Sequence, residues 1–239
     1  MTRLFLLFFS LPLSAFQLPS NCQQAIVGIA SDWKSSHVTL HLYEKDAQGQ
    51  WHLASQPWKG RLGGKGLAWG IGLHPSPAGE TTKKEGDRKA PAGIFKIGGA
   101  FGYEENIQRN PALPYLQITT RDLFVEDSSS KYYNRHLRLN HEPKSSWEKK
   151  QQMRQNDHAH SLKLFIKHNL NPQALPHAGS AIFFHIWRKN GAASTFGCTT
   201  MHEQNLRTLI AWVNPSKNPL YILLPEKDYL ARRSSWQLP

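Results

Sequence analysis

Cysteine is nearly absent from this chain: Cys22 and Cys198 are the two it has in 239 residues. A multi-disulfide scaffold is therefore excluded, and at most one bridge can form. Beyond the first fifteen residues, no stretch is long and apolar enough to cross a bilayer as a helix. The Gly-rich segment 60–79 lacks a Gly-Lys-Ser/Thr that ends a strand and opens a helix, so it is not a phosphate loop. His37 and His41 share one strand face, but no third ligand stands at a suitable spacing, and no metal is expected. Internal repeats, a nucleic-acid-binding motif and a linker able to divide the chain are also missing. Acidic residues are the scarcer charge, 17 against 29 basic ones, for a formal net charge of +12.

What is present describes a globular protein. The apolar content is ordinary and there are eight Trp, enough for a sizeable core in one domain. The first residues, MTRLFLLFFSLPLSAF, put one positive charge ahead of an apolar run and then small residues. That order predicts a secretory signal peptide at 1–15, with an uncleaved anchor as the alternative. Residues 16–239 then form a single exported domain, in the periplasm or cell envelope, with no stable membrane insertion after cleavage. A basic exported chain suits an anionic partner, and a cell wall bearing carboxylates qualifies. Nucleic acid qualifies by charge alone, but an exported chain rarely meets it. Simple solubilising charge is the plain alternative.

Short apolar or alternating runs predict strands at 25–29, 37–43, 51–53, 115–119, 123–125, 162–168 and 220–224. The expected fold class is mostly β, a sandwich or barrel-like mixed sheet with a few helices. Residues 147–160 are polar, a short helix over a site or a mobile flap, with His158 and His160 expected in solvent. A basic tail follows the last strand.

The organising stretch is 181–213. Ala181-Ile182-Phe183-Phe184 reads as a buried strand ending in His185. A polar loop leads to Gly197-Cys198, and Leu206, Leu209, Ile210 and Val213 recur at helical spacing. Thr200 with Glu203 three residues later reads as a capping box, which starts the helix just after Cys198. A cysteine at a helix N-terminus is expected to have a depressed pKa and to be a nucleophile. His185 is placed to be its base, and the N–H groups of Gly197 and Cys198 to hold an oxyanion. The competing reading is a buried structural Cys with a core His, or a Cys22–Cys198 disulfide. The flanking sequence favours a free Cys198.

His185, Thr195, Gly197 and Cys198 resemble the active-site segment of the L,D-transpeptidase family, whose catalytic domain is also called the YkuD domain. Phe196 stands where that motif usually has His, and Thr200 where Arg is common. A second segment, Lys83-Lys84-Glu85-Gly86-Asp87 through Pro91, Gly93 and Phe95, is similar to another family motif. The resemblance runs over about 83–225. Asp127, Ser130, Tyr132, Tyr133 and Asn134 fit a segment found in a subset of the family, either to contact substrate or to pin the loop to the sheet.

The resemblance implies an exported cysteine enzyme that attacks peptidoglycan stem peptides and passes the acyl group to a second stem, with no cofactor. Cys198 is then the nucleophile, His185 the general base and acid, and Gly197 an oxyanion donor. Arg188, Ser194, Thr195, Phe196, Thr199, Tyr133 and Asn134 are the expected substrate contacts. The motif departures keep a hydrolase alternative open: an L,D-carboxypeptidase, endopeptidase or amidase with the same Cys-His pair. A non-catalytic wall-binding module is the reading from another class. Oligomeric state is not legible in the sequence.

Overall fold

A computed structural model describes residues 16–75, 77–170 and 173–239. The expected leader at 1–15 lies outside them. In chain order the strands are β1 (Gln24–Ala30), β2 (His37–Lys45), β3 (Trp51–Leu53), β4 (Trp58–Arg61), β5 (Leu67–Trp69), β6 (Ala90–Gly102), β7 (Tyr115–Gln117), β8 (Asp122–Phe124) and β9 (His136–Arg138). Helix α1 (Ser146–Lys150) precedes β10 (Leu162–Ile166), β11 (Phe183–Ile186) and β12 (Thr199–Met201). Helix α2 (Glu203–Trp212), β13 (Leu220–Pro225) and α3 (Glu226–Arg233) complete the order.

Strand composition decides position in the sheet. β13, Leu-Tyr-Ile-Leu-Leu-Pro, is buried throughout and lies between β1 and β6. β2 begins with strict alternation, and its buried residues Val38, Leu40 and Leu42 face inward. The strands pair in the order β1, β13, β6, β10, β11, β12, β4, β2, and β2 pairs back onto β1. The result is a closed mixed barrel of eight strands, which leaves no open edge around its circumference.

Period-two alternation sorts the two faces of β10 and β11. Leu164, Ile166, Phe184 and Ile186 belong to the main core, where the Phe184 ring meets Tyr221 edge-on at 4.6 Å. Lys163, Phe165, Phe183 and His185 face the other way. Outside this wall a hairpin of β8 and β9 builds a second, smaller core from Ile118, Phe124, Met153, Phe165 and Phe183. The rings of Phe124, Phe165 and Phe183 lie 5.0–5.2 Å apart. The site described below sits between barrel wall and hairpin.

All the strands expected from the sequence form, within a residue or two of their expected ends. Two expectations change. Residues 199–201 are a strand, because they pair parallel with β11 in the registers Phe184 to Thr199, His185 to Thr200 and Ile186 to Met201. The helix starts at Glu203, and its cap is His202, whose Nδ1 accepts the Gln204 N–H at 3.2 Å. Thr200 is not a cap. The basic tail is also more than a tail. Its charges lie on α3, and Trp236 beyond it packs on Phe16, ring centroids 5.0 Å apart.

Asp122 ties the two strands of the hairpin to each other and to the turn that leads into it. Its buried carboxylate accepts from the Thr119 N–H and hydroxyl, from Arg138 Nε and Nη2, and from His136 Nε2, all at 2.7–2.9 Å. Burial opposes the charge, but these donors outweigh it and hold the carboxyl well below the usual carboxylate range. A depressed folded-state pKa means stability that is present at neutral pH and lost as pH falls through and below the ordinary Asp range. Asp122→Asn is expected to lower unfolding free energy at pH 7 by about 2–3 kcal/mol, the usual size for hydrogen bonds to a charged group. Urea midpoints should show the gap to wild type narrowing as pH drops toward 3.

Candidate active site

The site is assembled by three neighbouring strands. In register, Lys163 of β10 stands opposite His185 of β11, and His185 stands beside Thr200 of β12. Paired residues project to the same face, so the three side chains form one row on the outer wall. All three line a cleft of about 390 Å³. The other wall comes from Lys150 to Met153 and Gln155, at and after the end of α1, from His160 and from the turn 193–198.

Cys198 ends that turn. Thr195 bridges it: its hydroxyl donates to the Cys198 carbonyl at 2.6 Å and accepts the Gly197 N–H at 3.1 Å. Gly197 has φ +149°, and a Cβ there would lie 3.0 Å from the Lys89 carbonyl oxygen, so only glycine fits without strain. The Cys198 thiol donates toward the Ala181 carbonyl at 3.5 Å, and the Phe183 N–H points at Sγ from 3.4 Å. Ala181 itself has φ +54°, an unfavourable value for alanine. Asn134 holds it there, accepting the Ala181 N–H at 3.0 Å while donating to the His168 and Asn169 carbonyls.

His185 is buried. Its Nδ1 lies 2.9 Å from the Ile186 carbonyl oxygen and 3.2 Å from that of Ala159. Both neighbours are acceptors, so Nδ1 carries the proton and Nε2 keeps its lone pair. Burial, then the charge of His160, pulls His185 down to about 3. The His160 ring stacks on it, centroids 4.7 Å and 24° apart, with Nδ1 2.9 Å from the Asp157 carboxylate. Burial likewise takes His160 down to about 4. Both imidazoles are neutral near pH 7. Burial pushes the Cys198 thiol up to about 11, against the Phe183 N–H and Lys163, which favour the thiolate. At rest the pair is thiol and neutral imidazole.

The family model for the L,D-transpeptidase catalytic domain matches residues 34–222. That is most of the chain. It belongs to this family. No curated protein and no solved structure gave a match.

Within this family member, the expected site residues divide into two groups. Cys198, His185, Gly197, Arg188, Ser194, Thr195 and Phe196 all line the cleft. Phe196, 74 % exposed, stands at its mouth with the Arg88 guanidinium 5.1 Å from its ring. Thr199, Tyr133 and Asn134 do not line it. The Thr199 hydroxyl is buried against Tyr221 at 2.9 Å. Tyr133 donates to Glu85 at 2.5 Å, and Asn134 fixes Ala181, so both hold the frame of the site.

Three expected details are corrected. Cys198 precedes a strand, so no helix dipole acts on it, and burial raises its pKa where a depression was expected. The Gly197 N–H, expected to be free for an oxyanion, donates to the Thr195 hydroxyl at 3.1 Å. His160 is half-buried, stacked on His185 at the wall of the cleft and not free in solvent, whereas His158 is exposed and meets Glu203 at 3.0 Å. Both cysteines are free, with Cys22 inside the main core.

Lys163 and His160 were missed in the sequence. Lys163 had a signal: a single cation in the middle of Leu-Lys-Leu-Phe-Ile. His160 had none, because its stacking partner lies 25 positions away on another element.

Thr195→Val keeps the shape of the side chain and removes both hydrogen bonds of the turn. Unfolding free energy is expected to fall by about 1–3 kcal/mol, with Thr195→Ser close to wild type. Chemical denaturation of the two variants checks it.

Proposed function

We propose that this protein is an exported, cysteine-dependent L,D-transpeptidase that acts on peptidoglycan stem peptides. One observation carries the reading beyond family membership. His185 has its proton fixed on Nδ1 by two carbonyl acceptors, in the same cleft as the Cys198 thiol. That tautomer is the one a general base needs.

The chemistry follows from a neutral resting pair. As Sγ attacks the carbonyl of an L-residue bonded to a D-residue, His185 Nε2 takes the thiol proton. The tetrahedral intermediate collapses, the C–N bond breaks, and the departing amine takes that proton from Nε2. A thioester remains on Cys198. The amine of a second stem then attacks it, gives its proton to Nε2, and the thiol is restored. Concerted proton removal suits this site, because a thiol held at about 11 is scarcely ionised at neutral pH.

A second reading keeps the thioester and lets water attack. It draws support from the cations. Thr200 occupies the place where the family commonly has Arg. Arg188, on the loop after His185, is bound by Asp157 at 2.5 Å. An acceptor carboxylate must therefore compete for it. The wall-binding alternative is disfavoured by the intact Cys-His pair.

Incubation of the leaderless protein with defined tetrapeptide muropeptides, followed by mass analysis, tests the readings. Transfer gives an acyl adduct on Cys198 and then cross-linked dimer. Free D-alanine and trimmed stem without dimer would move the assignment to the hydrolase. The absence of any adduct on Cys198 would remove both enzyme readings. His185→Gln is expected to slow adduct formation by about 10²–10⁴, the range for loss of a general base. Because burial holds His185 down to about 3, its base form is retained on acidification. The adduct rate should show no fall from His185 protonation between pH 7 and 5, where an ordinary histidine would lose most of its base form.

A further inference from the structure

Lys163 is out of place for a lysine. Its strand is buried at every position, and Lys163 is 3 % exposed. An ammonium has three N–H donors. Among the described residues Nζ makes one hydrogen bond, to the Met153 carbonyl at 2.8 Å, and no ion pair with a carboxylate. A buried charge in that state is strongly unfavourable unless an anion joins it. The groups that face it narrow the choice. Asp157 is taken by Arg188 and His160. Glu126 lines the same cleft without an ion pair to Lys163, and its charge, like that of Asp157, acts on the ammonium less than Cys198 does. His160 and His185 are neutral, and Arg188 is a cation. Cys198 remains, and Phe183 connects the two. Its ring centroid is 5.7 Å from Lys163 Nζ, and its N–H points at Cys198 Sγ.

We propose that Lys163 is a positioning residue for the nucleophile: its ammonium steadies the ionised Cys198 sulfur, the part that the sequence had given to a helix N-terminus and that no helix plays here. The idea rests on the cysteine-enzyme reading only for the identity of the nucleophile. Burial also pulls Lys163 down to about 8, with the charge on Cys198 acting the other way. Its folded pKa is lowered, so the ammonium is present below about 8 and lost as pH rises through it.

Alkylation of Cys198 in a Cys22→Ala background reads this directly. Lys163→Met is expected to react with iodoacetamide at pH 7 at least tenfold more slowly, one unit of thiol pKa being tenfold in thiolate. The deficit should close at alkaline pH, and Lys163→Arg should stay within about threefold of wild type. A merely structural lysine would instead lower the thermal midpoint and leave the same fold-loss at every pH. Should Lys163→Met not fold, the protein with Lys163 intact still decides. The rate ratio of anionic iodoacetate to neutral iodoacetamide is expected to fall as pH passes 8. Superimposed profiles of Lys163→Met and its parent, or a ratio flat from pH 7 to 10, would overturn the proposal. Alkylation needs no donor peptide, so failure of the enzyme reading shows separately, as the absence of a muropeptide adduct on a thiol whose reactivity still depends on Lys163.

Discussion

The parallel pairing of β11 with β12 is the constraint on which the site depends. β11 is an inner strand of a closed barrel, so its backbone donors and acceptors must be matched on both sides. β10 supplies one side. Residues 199–201 supply the other, which forces them to be extended. With Phe184 beside Thr199, the residue before Thr199 falls beside Phe183, and the sulfur lands on the Phe183 N–H. The same register carries His185 next to Thr200 and, across β10, next to Lys163. Sulfur, imidazole and ammonium are thus located by backbone ladders and not by a flexible loop.

That wall has an electrostatic character of its own. Burial acts on every ionisable group in the row and favours the uncharged form of each. Cys198 goes up, and His185, His160 and Lys163 go down. Apart from the Lys163 ammonium, the row holds little charge near neutral pH, and under the proposed mechanism charges that arise there meet few mobile dipoles to screen them. The buried Thr200 hydroxyl, on the same cleft wall, has no hydrogen-bond partner among the described residues.

Much of this was legible in the sequence, and the exceptions have physical causes. The strands came through because their periods are short and local, as in β2 and β13. Gly197-Cys198 after an apolar strand marked the turn that lines the cleft. The start of α2 was misread because Thr200-x-x-Glu203 has the local form of a capping box, while the pairing that overrides it is with residues 184–186. Tyr133 and Asn134 are polar residues near the site in sequence pattern, but what they bind is the backbone around Ala181 and the Glu85 carboxylate. His160 and Lys163 join the site only through sheet closure, which no local pattern encodes.

The division between rigid and loop-borne parts bears on the choice between transfer and hydrolysis. Under the proposed mechanism both reactions share Cys198 and His185, which sit on or next to paired strands and have little freedom to differ. What differs is whether an amine is held near the thioester, and proximity of that kind is worth several orders of magnitude in effective concentration. The parts able to hold one are the turn that carries Ser194 and Phe196, the segment after α1, and Arg188. Of these, Phe196 is solvent-exposed and backed by Arg88, a surface suited to stacking and to a carboxylate at once. Arg188 is tied to Asp157. Under that mechanism acceptor choice would rest on the mouth of the cleft, around Phe196 and Arg88, whereas the departure at Thr200 stands beside His185 itself.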